Sequence, residues 1–217
     1  MNIQNNKIEI PGTARKIFTP VFIVLFFVSV IMLLLVYHTM STHNGTKEID
    51  TIKKVPEFSL TDQNGAGLTR EDLLGTYWVA NFIFTNCGGI CPTMSFQMRA
   101  LQNSIPADLP VHLVSISVDP ERDTPAVLKE YAAEWNADPE RWSFLTGEKE
   151  AIYSLAREGF LLGVNPEGGT LVEPIMHSQR FVLVDEEGMI RGYYDGFDDE
   201  KTGVLLDDLF YLLGEAR

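Results

Sequence analysis

Between Lys16 and Lys47 the chain carries no Asp, Glu, Lys or Arg, and within that stretch Ile17 to Met40 is almost wholly apolar. A helix rises about 1.5 Å per residue, so roughly 20 residues cross a hydrocarbon core of about 30 Å. The run is therefore long enough for one transmembrane helix. It also exceeds the roughly 7–15 apolar residues of a cleaved signal, and Leu35-Val36-Tyr37-His38 offers no small-residue cleavage site. The expected organisation is an N-terminus over residues 1–16, an anchor over 17–40, a polar tether over 41–54 and one folded domain over 55–217. Arg15 and Lys16 abut the span, which favours a cytoplasmic N-terminus. The domain then lies on the extracytoplasmic side, periplasm or intermembrane space, where disulfides can form.

Beyond the tether the pattern changes to short alternating elements. Asn64-Gly65, between Phe58-Ser59-Leu60 and Gly65-Ala66-Gly67, predicts a small hairpin. Tyr77 to Phe84 is apolar on both faces except at Asn81, the mark of a buried central strand, and Val111 to Val118 is a second. Pro92 to Leu101 reads as a helix, as does Thr124 to Trp135, where Thr124 can cap and Pro125 suits the first turn. Phe144-Leu145 is a short strand and Glu148 to Glu158 a helix. Arg180 to Asp185 and Met189 to Tyr194 form a hairpin through Glu186-Glu187-Gly188, and Asp199 to Leu213 is an amphipathic helix. Strands alternating with helices predict an α/β layered sheet.

The formal charge is −13. Lys7, Arg15, Lys16 and Glu9 lie in the first 40 residues, so the remainder holds 14 basic and 29 acidic residues, a charge of −15. Nucleic acid is excluded as a partner, because phosphate binding needs a basic surface. An acidic surface suits solubility, attraction of cations or docking to a basic partner.

Cys87 and Cys91 are the only cysteines, in Phe84-Thr85-Asn86-Cys87-Gly88-Gly89-Ile90-Cys91-Pro92, at the first strong strand-to-helix junction. By analogy this narrows the architecture to a thioredoxin-like sheet flanked by helices. Pro92 fits only the first turn of a helix, so Cys91 is expected near the cap, where the positive helix end stabilises thiolate. Gly88-Gly89 lets the loop fold back. Two thiols at this separation suit either a disulfide or a soft metal ion, and so short a loop gains little closure entropy, which argues against a purely structural bridge. Of the four histidines, His38 falls in the anchor, His43 in the tether and His112 at a strand start. His177 lies in the loop before Arg180 to Asp185. In Asp119-Pro120-Glu121-Arg122-Asp123-Thr124-Pro125, turn and helix start account for Asp123, while Asp119 is a candidate supporting acceptor. Met94 and Met176 neighbour the proposed site as packing residues.

Four segments in order resemble the Sco/SenC family: the cysteine segment, Asp119 to Pro125, Leu145-Thr146-Gly147, and His177-Ser178 followed by Phe181-Val182-Leu183-Val184-Asp185. The resemblance covers about Val55 to Leu213. It implies a membrane-anchored, thioredoxin-like protein that helps assemble cytochrome c oxidase. It further implies copper, as Cu(I) or Cu(II), held by Cys87, Cys91 and His177. The implied partner is the oxidase's copper-site subunit or another copper carrier. The family usually has Pro and an acidic residue after the first cysteine, where this chain has Gly88-Gly89, and often His where Asn86 stands. Two alternatives remain open. One is an enzyme, a thiol–disulfide oxidoreductase using Cys87 and Cys91 as redox thiols. The other is a peroxiredoxin-like peroxidase, suggested by Val55-Pro56-Glu57-Phe58-Ser59-Leu60.

Overall fold

The computed structural model describes residues 23–36, 48–162 and 179–215. Residues 23–36 form a helix, α1, inside the apolar run expected to be the anchor. At about 1.5 Å per residue this helix measures roughly 21 Å. No helix of the described residues is long and apolar enough to cross a membrane. The remainder of Ile17 to Met40 lies outside the described residues.

The chain divides into two compact units, Met1–Glu48 and Ile49–Arg217. The second holds an eight-stranded sheet ordered β1-β8-β7-β4-β5-β6-β2-β3. Its strands are β1 (Lys53–Lys54), β2 (Ser59–Asp62), β3 (Gly67–Thr69), β4 (Tyr77–Ile83), β5 (Val111–Ser117), β6 (Trp142–Thr146), β7 (Arg180–Val184) and β8 (Met189–Asp195). Parallel β4, β5 and β6 form the centre, with antiparallel β7 and β8 on one flank and the β2–β3 hairpin on the other. The α-helices are α2 (Ile90–Ser104), α3 (Pro125–Glu134), α4 (Lys149–Ser154) and α5 (Asp199–Leu213). A π-helical turn, Leu155–Gly159, extends α4.

The central strand follows from its pattern. All seven β4 residues are buried, and alternate side chains enter opposite layers because the strand period is two. Tyr77, Val79 and Ile83 join residues of α2, α3 and α5, whereas Trp78, Ala80 and Phe82 join Ile152, Leu155 and Phe160 beneath the other face. Asn81, the one polar residue of the run, is accommodated by a chain of bonds. Trp142 Nε1 donates to Ser115 Oγ (2.9 Å), which donates to Asn81 Oδ1 (2.7 Å). Thr124 caps α3 by accepting from Val127 N, with Pro125 next. The hairpin turns fall at Gly65 and Gly188, with φ of 82° and 78°, values that favour glycine.

The sheet takes up residues that the sequence assigns to the tether. Lys53–Lys54 pairs with β8, and the Arg191 guanidinium donates to the carbonyls of Ile49 (2.7 Å) and Asp50 (3.1 Å). An ion pair to Asp185 at 3.0 Å fixes that guanidinium.

His112 is a packed residue at the start of β5, and its Nε2 shares a 2.9 Å hydrogen bond with Ser143 Oγ. Burial, reinforced by the Arg141 guanidinium, pushes its pKa down from 6.5 to about 4, against the pull of Asp138. A histidine whose folded pKa is depressed stabilises the fold fully above its unfolded pKa, and the contribution drains away as pH falls toward the folded value. Linkage gives a loss of about 2 kcal/mol between pH 7 and pH 5 from this residue. Urea midpoints at the two pH values should therefore diverge more in the wild type than in His112→Gln. Parallel pH profiles in the two proteins would exclude this origin.

Candidate functional site

The C-terminal end of β4 passes through Phe84 to Gly89 before α2 begins at Ile90. Gly89 is the cap residue, with no side-chain cap bond and no acidic residue in the first turn. The helix thus presents uncompensated N–H groups to this loop. Cys91 is its second residue and Pro92 its third, so proline occupies the first turn as expected and Cys91 sits just inside the helix rather than on the cap.

Both cysteines are free thiols and both are buried, Cys87 at 7% exposure and Cys91 at 3%. Gly88, Gly89 and Pro92 are exposed in front of them. The Cys87 side chain and the Phe84 backbone are the polar groups that act on Cys91. Burial pushes the Cys91 thiol up to about 12, opposed by the Phe84 backbone and helped by the Cys87 sulfur and by Asp123. The helix terminus was expected to favour thiolate here, but desolvation of the charged sulfur outweighs it. In this environment Cys91 stays protonated at neutral pH.

Asp123 holds the loop in place. It is fully buried. Its Oδ2 accepts from Thr85 N (3.0 Å) and Ser117 Oγ (2.5 Å), and its Oδ1 accepts from Thr85 Oγ1 (2.5 Å). One carboxylate thus ties the residue two before Cys87 to the end of β5. Asp119, the acceptor suggested by the sequence, is instead partly exposed and faces Arg122 at 3.6 Å. It supplies the backbone turn, with Asp123 N donating to Asp119 O (2.9 Å). Turn and helix start account for the placement of Asp123, but they do not account for its burial. The signal available in the sequence was the pair of hydroxyl residues, Thr85 and Ser117, at the ends of the two central strands.

Met94 is fully buried in the core beside the cysteines, as a packing residue. His112 begins β5, whereas the cysteines follow the end of parallel β4, so it stands at the opposite end of the sheet. His177, Met176, His38 and His43 lie outside the described residues. Among the described residues no group of three or more His, Cys, Asp or Glu is arranged to hold a metal ion. Among the described residues Cys87 and Cys91 supply the thiols at this end of the sheet, and Asp123 is committed to Thr85 and Ser117.

Fold and site together define a thioredoxin-like domain with a buried dithiol at the junction of its central strand and following helix. The SCO1/SenC family model matches residues 46–209, and the chain belongs to that family. It is similar to the SCO1 protein homolog of Bacillus subtilis, at 35% identity over 159 residues, covering 72% of this chain and 81% of that one. It is also similar to the structure of BsSco, a Sco-family cytochrome c oxidase assembly protein with a disulfide switch. That match has a TM-score of 0.66 and 34% identity, over 75% of this chain and 95% of the other. Yeast Sco1 with copper bound matches at a TM-score of 0.61 and 27% identity, over 77% and 97% of the two chains.

Proposed function

We propose that this chain is a copper-binding assembly factor for cytochrome c oxidase, taking copper as cargo on Cys87, Cys91 and His177. The observation that carries the reading is the pair of buried thiols at the junction of β4 and α2, with the exposed Gly88-Gly89 between them in the chain. Two thiolates are a soft set that suits Cu(I), and a neutral imidazole completes three ligands. The copper-bound yeast relative and the assembly role of BsSco support copper and the oxidase as its context. The oxidase's copper-site subunit, or another copper carrier, is the proposed partner. Loading displaces thiol protons, so uptake strengthens as pH rises. The test is metal content and thiol titration of the chain purified with and without added Cu(I). One copper bound with both thiols protected is expected. Free, fully titratable thiols in the presence of Cu(I) would remove the reading.

The same pair supports a second reading, thiol–disulfide exchange with a partner. It is favoured by two free thiols close enough for Cys87 to raise the Cys91 pKa, and by the disulfide switch of BsSco. Formation of the Cys87–Cys91 disulfide would release two electrons and two protons to the partner's disulfide, leaving the partner as a dithiol. Circular dichroism should then be the same for the oxidised and reduced chain. Collapse on reduction would instead mark a structural bridge.

The proposed organisation keeps Ile17 to Met40 as a membrane anchor with the domain on the extracytoplasmic side. The charge-free run and the helix over residues 23–36 support it. Carbonate or high-salt extraction should leave the intact chain in the membrane fraction. Its release into the supernatant would rule out an integral anchor.

A further inference from the structure

Phe96 and Phe197 are 58% and 49% exposed, and no other phenylalanine described in the domain is exposed to this degree. Both belong to the end of the sheet that carries the cysteines. β7 runs antiparallel to β4, and Arg180 at its start pairs with Asp195 at the end of β8. The turn after β8 therefore lies at the end where β4 enters the cysteine loop. Gln97, next to Phe96 on α2, donates to Asp199 on α5, two residues after Phe197. Phe96 and Phe197 thus lie one and two residues from the two ends of one link between the helices.

The turn that carries Phe197 is firmly built. Gly196 N donates to Gln179 O (2.6 Å), and Phe197 N donates to Asp195 Oδ1 (2.9 Å). A Cβ on residue 196 would come within 2.9 Å of the Phe181 ring, so the chain packs tightly just before it leaves Phe197 in water. Asp195, Asp198, Asp199 and Glu200, within three residues of Phe197 in the chain, are all exposed. Capping of α5 explains Asp198, which accepts from Glu200 N and Lys201 N. Capping explains neither exposed phenylalanine.

We propose that Phe96 and Phe197 form a docking face for a partner protein that presents an apolar socket rimmed by Lys or Arg, bound over the Cys87–Cys91 end of the sheet. This rests on the reading that the thiols serve a second protein. Aromatic anchors carry most of the energy in such contacts, and the acidic surround selects a basic rim and speeds encounter. The same carboxylates repel anionic lipid headgroups, which disfavours a membrane-insertion role for the rings.

The test uses the full chain in neutral-lipid nanodiscs and, as probe, the copper-site domain of the oxidase subunit from the same cell. Phe96→Ser with Phe197→Ser should weaken docking at least tenfold. Leu74→Ser should not; Leu74 is also exposed but precedes β4, at the opposite sheet end. Glu200→Lys should weaken docking at low salt and flatten its salt dependence. Cu(I) uptake, measured in parallel on the chain alone, should be equal in all variants. Wild-type docking by the double variant, with Cu(I) uptake intact, overturns the face and leaves the copper reading standing. No docking by the wild type also overturns it. Absence of Cu(I) uptake in the wild type, with docking lost in the double variant, overturns the copper reading and leaves the face. Binding to phosphatidylglycerol vesicles that the double variant loses would make it a membrane face and overturn the proposal.

Discussion

Cys91→Ser is expected to lower Cu(I) affinity by roughly two orders of magnitude or more, about one donor's share of the roughly 10–16 kcal/mol that four ligands supply at a structural zinc site. A serine oxygen keeps the size and removes the softness, and Cu(I) selects for softness. Cys87→Ser should behave alike. His177→Ala should differ in kind. Two thiolates alone can hold Cu(I) linearly, while Cu(II) prefers additional, harder ligands, so the alanine variant should lose Cu(II) affinity more than Cu(I) affinity. Neutral imidazole binds metal and imidazolium does not, so the difference between wild type and His177→Ala should shrink as pH falls through the histidine range. Competition titrations with both oxidation states measure this. Should His177→Ala bind both as tightly as wild type while Cys87→Ala loses them, the three-ligand site is wrong and the dithiol acts alone.

The sequence carried most of the fold because the central strands announce themselves. Tyr77–Ile83 and Val111–Ser117 carry apolar residues on both faces, broken by Asn81 in the first and by His112, Ser115 and Ser117 in the second, a pattern that suits a doubly covered strand. Caps and turns were legible for local reasons, at Thr124-Pro125, Gly65 and Gly188. Features set by distant partners were not. Lys53–Lys54 has no strand pattern. It is extended because Ile52 N donates to Ile190 O and Val55 N to Gly188 O, bonds to a segment more than 130 residues away. Phe144-Leu145 grows to Trp142–Thr146 because β5 and the β2 hairpin pair with it on both sides. The cysteine loop divides in the same way. Its thiols and its proline were readable, whereas the rise of the Cys91 pKa depends on burial by neighbours that no local pattern reveals.

Asp123→Ala is expected to destabilise the domain by about 3 kcal/mol, because it strips three donors of their only described acceptor in a buried setting. For a domain of this size that corresponds to a fall in melting temperature of about 6–12 °C. Asp123→Asn should cost less, about 1 kcal/mol. Its remaining carbonyl oxygen can still accept from Thr85 N and Ser117 Oγ, and the Thr85 hydroxyl can rotate to accept from the new amide. The consequence for the site is separate from the stability. Thr85 is fixed to Asp123 through both its N–H and its hydroxyl, and Cys87 follows two residues later. Freed from that tie, the loop should open more often, and both thiols should react faster with an alkylating agent under conditions where the domain stays folded. The order wild type, Asp123→Asn, Asp123→Ala should hold for both the melting temperature and the alkylation rate. A variant that melts early but alkylates at the wild-type rate would make Asp123 a support for β5 and α3 alone. Unchanged melting in Asp123→Ala would remove even that role.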